Sequence, residues 1–390
     1  MTRKICVVIT ARPSYSRIKT ALTAIVQHPD LELQLVITGS ALMEKYGAVI
    51  NQIRRDGFKI TATLSNVLDS GSPADSVKTV GLASIELSTL FEAIQPDIVV
   101  TIADRFETMA TAIAASYMNI PLAHVQGGEI TGNIDDKVRN AITQLSDIHL
   151  VSTEAAKQHV IKMGADADQV YKVGCPSIDI ALDILRNPII DFDPFQQYGG
   201  VGSAFDIKKG YIIVMHHPVT TEYGMASHQI EQTLTAIENL NLNTFWFWPN
   251  PDPGTEAISK QLRTYREMNV NSKIHFFKNM EPVHFLKLLK NAYCLIGNSS
   301  VGIRECSLLG VPVVNIGNRQ NGREKGNNVL NTDYDFTEIT NAVRMQLSHG
   351  PYEPDCIYGN GNSGKKIAFA LANSSMVSLQ KAQWITNPAF

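Results

Sequence analysis

Short apolar runs recur along this chain, each breaking into a polar loop and then into a segment with apolar residues at helical spacing. Residues 5–9, ICVVI, form such a run. Residues 10–16, TARPSYS, are a loop by composition, and Ile18, Leu22 and Ile25 then fall on one helical face. The pattern repeats with strand runs at 33–37, 97–101, 121–125 and 149–152, and helical segments at 41–55, 77–93, 106–117 and 136–145. A second series has strand runs at 212–215, 244–248, 274–277, 294–296 and 311–316, with helices at 230–240, 256–266 and 282–290. Strands that alternate with helices make parallel sheets, doubly wound, so the expected class is α/β.

The 390 residues are too many for one ordinary core and suit two domains. Residues 188–210, rich in Pro, Gly and Asp with little periodicity, are the expected connection. That places a Rossmann-like domain at 1–187 and a second at 211–363. The helical stretch from 364, within 364–390, is expected to pack back on the first domain. Two such domains facing each other leave a cleft lined by the C-terminal ends of their strands, where open α/β sheets bind ligands.

Polar residues gather at those strand ends. Arg12 and Ser16 follow the first strand, Asp104 and Arg105 the third, and Gln126, Glu129, Asp135 and Asp136 the fourth. In the second series, His217, Thr220 and Thr221 follow one strand and Asn250 the next. Residues 295–324 hold the densest set. The run at 294–296 ends at Gly297-Asn298, and Ser299 and Ser300 stand where N-cap residues open a helix. Free N–H groups at a helix start suit a phosphate. Glu305 lies where a carboxylate can accept from ribose hydroxyls. Arg319 and Arg323 follow the next strand, and guanidinium forks match phosphate oxygens.

Composition narrows the partners. Thirty-four basic and 37 acidic residues give a net charge of −3, which supports neither a nucleic-acid nor a membrane-surface partner. The five cysteines are scattered without a CxxC, as expected for reduced core residues of a cytoplasmic protein. No apolar run approaches the ~18 residues that span a bilayer. No P-loop, no GxGxxG after the first strand and no GxSxG elbow occurs, and His and Cys lack metal-ligand spacing. Neither cofactor nor metal is expected. Carboxylates, a histidine, arginines and helix starts together fit acid–base chemistry on a nucleotide-linked substrate.

These motifs carry a resemblance. TARPSYS at 10–16, ADRFE at 103–107, HVQGGEITGNIDD at 124–136, HPVTT at 217–221, GNSSVGIRE at 297–305 and NIGNRQNGRE at 315–324 occur in order and resemble the UDP-N-acetylglucosamine 2-epimerase family. The likeness runs from residue 3 to about 360 and is closest to the hydrolysing branch, which makes N-acetylmannosamine and UDP for sialic acid synthesis. It implies a GT-B-like pair of domains and a UDP-sugar substrate. Arg12, Ser16, Arg105, His217, Asn250, Ser299, Ser300, Glu305 and Arg319 would bind UDP. Asp104 and Asp135 would be the acid–base carboxylates, with His217 near the leaving phosphate. A homodimer or larger homo-oligomer is also implied.

Two departures stand out. Gln126 takes the place of a common Glu, and an amide does not exchange protons as a carboxylate does. Either Glu129 takes over that work or Gln126 only orients the acetamido group. Ala103 replaces a usual Gly. The substrate stays open between UDP-N-acetylglucosamine and UDP-2,4-diacetamido-2,4,6-trideoxyglucose of the legionaminic acid route. A non-hydrolysing epimerase, a GT-B glycosyltransferase and a non-catalytic nucleotide-sugar sensor are the other readings.

Overall fold

The computed structural model describes residues 2–68, 73–132, 134–249 and 254–375. It divides into two compact units. One holds the chain up to Glu129, Asp135–Asp179 and the chain from Asn362; the other holds Ile130–Ile134 and Ile180–Gly361.

The first unit is built on a parallel sheet of β1 (Arg3–Ile9), β2 (Leu31–Thr38), β3 (Ala62–Leu64), β4 (Ile98–Ile102), β5 (Leu122–Val125), β6 (Ile148–Val151) and β7 (Val170–Lys172), in the order β3-β2-β1-β4-β5-β6-β7. Helices α1 (Arg12–Ser16), α2 (Lys19–Gln27), α3 (Val49–Arg55), α4 (Pro73–Ile94), α5 (Phe106–Tyr117), α6 (Ile134–Leu145) and α7 (Glu154–Lys162) connect them, and α8 (Pro176–Arg186) carries the chain on into the second unit. The inner strands are apolar throughout because both faces are covered. Ile5, Val7 and Ile9 pack with α2, and Cys6 and Val8 pack with α4 and α5.

The second unit carries a parallel sheet of β8 (Ile212–Met215), β9 (Thr244–Phe247), β10 (Ile274–Phe277), β11 (Leu295–Gly297), β12 (Val313–Ile316) and β13 (Val329–Thr332), in the order β10-β9-β8-β11-β12-β13. Its helices are α9 (Pro194–Tyr198), α10 (Ala226–Leu240), α11 (Thr255–Met268), α12 (Pro282–Lys290), α13 (Ser300–Ile303), α14 (Glu305–Leu309) and α15 (Phe336–His349). Residues 188–210 lie within this unit. They cover the edge strand β10: Val201 bridges Phe276, and Phe195 packs on His275 and Phe277.

The last helix, α16 (Ser363–Asn373), returns to the first unit. Its Ile367, Ala368 and Leu371 share a core with Leu22 and Ile25 of α2. Asp179 caps it, accepting from the N–H groups of Ser363 and Gly364 at 2.8 Å each. Gly364 lies so near Thr20 that a Cβ there would stand 2.5 Å from that residue's backbone.

Three local expectations change. Residues 10–16 are not a loop throughout, since Pro13 at a first-turn position lets Arg12–Ser16 form a helical turn. Residues 41–55 are not one helix. Left-handed Gly47 and Ala48 separate two 3-10 turns from α3. The single helix expected after Ser299 is two short ones broken at Arg304. No helix among the described residues is long and apolar enough to cross a membrane. All five cysteines are free, and four of them are buried.

Candidate active site

Each sheet reverses its strand order once, between β1 and β4 in the first unit and between β8 and β11 in the second. Loops leaving the C-terminal ends of those strands frame the crevice where doubly wound sheets take ligands. The polar residues singled out from the sequence follow β1, β4 and β5 in one unit and β8, β11 and β12 in the other.

In the first unit, two turns are held in the left-handed region that side chains disfavour: Ala103 at φ 64° and Gln126 at φ 68°. One buried imidazole braces both. His124 Nε2 lies 2.8 Å from the Ala103 carbonyl, which can only accept, so Nε2 carries the hydrogen. Nδ1 lies 3.1 Å from Thr143 Oγ1. A Cβ on Gly127 would stand 2.8 Å from that Nδ1, so the turn after Gln126 needs glycine. Burial pushes the His124 pKa down to about 4, against the Ala103 bond and with help from the Arg139 charge, so the ring is neutral near pH 7.

Asp104 follows the Ala103 turn. Its Oδ2 pairs with Nη2 of Arg139, a residue of α6 whose side chain is 1% exposed. Nη1 of the same guanidinium donates to Asp136 Oδ1 and to the Glu129 carbonyl, at 2.6 Å each. Burial opposes the Arg139 charge, but Asp104, Glu129 and Asp136 together outweigh it and hold its pKa above the ordinary range. One fixed cation thus ties the loops after β4 and β5 to the first turn of α6. Asp135 stands in that turn, but the pair with Arg139 is made by its neighbour Asp136.

Other assignments land differently. Gln126 is buried and turns to the loop after β7: its Nε2 donates to Cys175 Sγ at 2.9 Å, and its Oε1 has no hydrogen-bond partner. Arg105 is committed to buried Glu107 through Nε at 3.0 Å and Nη2 at 3.2 Å. Ser16 donates to the Pro13 carbonyl at 3.0 Å. Arg12 opens α1 half-buried, and burial lowers its pKa.

In the second unit, the loops after β8, β11 and β12 meet at Asn298. The His217 backbone N–H donates to Asn298 Oδ1, and Asn298 Nδ2 donates to the His217 carbonyl, both at 2.8 Å. Arg319 Nη1 and Gln320 Nε2 donate to the Asn298 carbonyl at 3.1 and 2.9 Å. Arg323 Nη1 donates to Gln320 Oε1 at 2.7 Å. Ser299 is the N-cap, its Oγ accepting from the Val301 N–H at 3.4 Å, while Ser300 is already inside α13. A four-residue helix adds little dipole, so this anion site would rest on local N–H groups and Arg319. Glu305 opens α14 with Oε2 buried and without a hydrogen-bond partner. His217 is buried beside His216, which faces Thr233 Oγ1 at 3.0 Å and whose pKa burial, aided by Arg319, pushes down to about 3. Asn250 lies outside the described residues, as do residues 69–72 of the polar loop before α4.

Sequence reading alone passed over Arg139, His124 and Asn298. The spacing Asp136-x-x-Arg139 in a first helical turn was a usable signal for the first. His124 and Asn298 sat among apolar and turn residues, where only coordinates show what they bond.

A sequence model of the family described as UDP-N-acetylglucosamine 2-epimerase matches residues 23–372. A UDP-N-acetylglucosamine 2-epimerase of Neisseria meningitidis is 33% identical over 93% of this chain and 92% of its own. A hydrolysing UDP-N,N'-diacetylbacillosamine 2-epimerase of Legionella pneumophila is 32% identical over 94% of each chain. A crystal structure of UDP-GlcNAc 2-epimerase from Neisseria meningitidis bound to UDP-GlcNAc superposes with a TM-score of 0.76 at 18% identity, covering 94% of this chain and 99% of that one. At that identity the superposition speaks to the fold.

Proposed function

Because this chain belongs to the UDP-N-acetylglucosamine 2-epimerase family, we propose that it is a hydrolysing 2-epimerase acting on a UDP-2-acetamido sugar. A carboxylate takes the proton from C2 of the sugar while the C1–O bond to UDP breaks, leaving a glycal and free UDP. Water then adds across the C1–C2 double bond. Hydroxide goes to C1 and a proton returns to C2 from the opposite face, giving the 2-epimer as a free sugar.

The observation that carries this reading is the pairing of Asp104, just past the end of β4, with buried Arg139, which fixes a carboxylate beside a permanent cation. Asp104 and Asp135 are the acid–base pair, and Glu129 supports them. Gln126 orients the acetamido group, since its amide cannot shuttle a proton. In the second unit, His217 stands at the leaving phosphate, and Ser299, Ser300 and Arg319 hold the diphosphate. Glu305, with its unpartnered oxygen, takes ribose hydroxyls. Arg12, Ser16, Arg105 and Asn250 complete the proposed UDP contacts.

The two relatives above differ by one percentage point in identity and are named for different UDP-sugars. Both sugars carry the 2-acetamido group that the proposed chemistry needs, so both belong in the test. Incubation with UDP-N-acetylglucosamine and, separately, UDP-2,4-diacetamido-2,4,6-trideoxyglucose is expected to release free UDP from one of them without any acceptor. A nucleotide that stays attached to an inverted sugar would make the protein a non-hydrolysing epimerase. UDP release only when an acceptor is added would make it a transferase.

A further inference from the structure

We propose that Asn298 is a positioning residue that sets the place of His217 and of the UDP-binding loops through one buried side chain. The inference rests on the reading of His217 and Arg319 given above.

Asn298 is wholly buried. Strand β8 ends at Met215 and β11 at Gly297, so the His217 main chain lies beyond the last rung of that ladder. A main-chain N–H and C=O left there in a dry site would each go unsatisfied. The Asn298 amide supplies the missing rung, with one acceptor for the His217 N–H and one donor for its carbonyl, both at 2.8 Å. Only an amide offers both at this reach: a leucine offers neither, and an ionised aspartate only accepts. The approach is close because Gly297, at φ 130°, has no Cβ; one would stand 2.1 Å from the Met215 carbonyl.

The main chain of Asn298 faces the opposite task. Its N–H donates to the Met215 carbonyl at 3.1 Å, and its own carbonyl accepts from Arg319 and Gln320. The next residue is Ser299, the cap of α13. A group that moves Arg319 or the Ser299 turn therefore acts on the same residue that holds His217. Grip on the diphosphate and placement of the imidazole are coupled by construction.

The test is a double-mutant cycle on the full chain with UDP-N-acetylglucosamine, or with the diacetamido sugar if that one is turned over. It compares wild type, Asn298→Ala, His217→Ala and the double variant, well below the lowest melting temperature. Asn298→Ala is expected to lower kcat about ten-fold and to weaken UDP binding about ten-fold, the scale of losing a buried hydrogen-bond pair. The double variant is expected to fall no further in kcat than His217→Ala alone, because the two residues act as one unit. A purely structural role would lower stability and leave the two kcat losses multiplicative, and that result overturns the proposal. If His217→Ala alone leaves kcat unchanged, the reading of His217 fails and this inference goes with it. Should Asn298→Ala not fold, Gln320→Met replaces it in the cycle. It removes one donor from the Asn298 carbonyl, with a loss of about three-fold in kcat and in UDP affinity expected, again absent on the His217→Ala background. Multiplicative losses there overturn the proposal equally.

Discussion

The candidate residues of the two units are wired in different ways. In the first unit, charge meets charge: Asp104 and Asp136 converge on Arg139, and Arg105 is locked to Glu107. In the second unit, side chains meet main chain: Asn298 holds His217 by its backbone, and Arg319 and Gln320 hold Asn298 by its carbonyl. The first arrangement holds carboxylates against fixed cations, which suits the proton transfer proposed for Asp104. The second fixes the shape of a donor-rich loop, which suits the diphosphate grip proposed for Arg319. On the proposed roles, substitutions in the first unit act first on kcat and those in the second act first on UDP binding.

The largest expected effect tests that split. Asp104→Asn is predicted to reduce kcat about 10³-fold, the range of lost acid–base catalysis, with the UDP dissociation constant within about two-fold. Asp135→Asn should behave alike, whereas Asp136→Asn should show itself mainly in stability; turnover and calorimetric titration with UDP separate them. Next comes Arg139→Met, which removes the buried cation that Asp104 and Asp136 share. Urea unfolding should show a loss of about 3–5 kcal/mol. Without its cation Asp104 protonates more easily, so the acid limb of kcat/KM should move to higher pH. An unmoved limb would separate Arg139 from the ionisation of Asp104. In the second unit, Arg319→Ala is predicted to weaken UDP binding by about 2–5 kcal/mol. An unchanged dissociation constant would remove Arg319 from the anion-holding set.

Acid should also tell the units apart. Burial lowers the pKa of His124 to about 4 and of His149 to about 3 in the first unit, and of His216 to about 3 in the second. These folded values lie below the unfolded one near 6.5, so the unfolded chain binds more protons between them. Stability is therefore full above about pH 6.5 and drains away as the pH falls toward 4 and then 3, by on the order of 3 kcal/mol per histidine. The first unit, with two such residues, should lose protection first in hydrogen exchange at about pH 4.5, and His124→Gln should lessen the difference. The smallest effect is Ser299→Ala. Loss of that cap should cost about 1 kcal/mol in stability, with UDP binding weakened less than in Arg319→Ala.

How much of this could be read from the chain follows from what covers each element. Inner strands such as β1, β4, β8 and β12 are buried on both faces and announce themselves as apolar runs. Strands β3, β7 and β13 stand at sheet edges, half in solvent, and their ATL, VYK and VLNT lack that signal. Edge strand β10 is the exception because residues 195–205 cover it, so its IHFF is as apolar as an inner strand. Within the site, the strand-end position of Asp104, His217 and Arg319 was legible from periodicity. Their partners were not: Arg139 and Asn298 lie 35 and 81 residues from the groups they hold, and chain distance hides such pairs. Ser300 and Asp135 show the limit from the other side, since adjacent residues of like type divide capping and pairing in a way spacing does not reveal.

On the proposed mechanism, proton transfer at C2 accompanies expulsion of UDP. A proton NMR time course in deuterated water, begun with the UDP-sugar that the protein turns over, follows both events in one tube. Free UDP should appear together with an unlinked, 2-inverted sugar bearing deuterium at C2. Retention of the C2 hydrogen in the released sugar, or a product still joined to UDP, would contradict it.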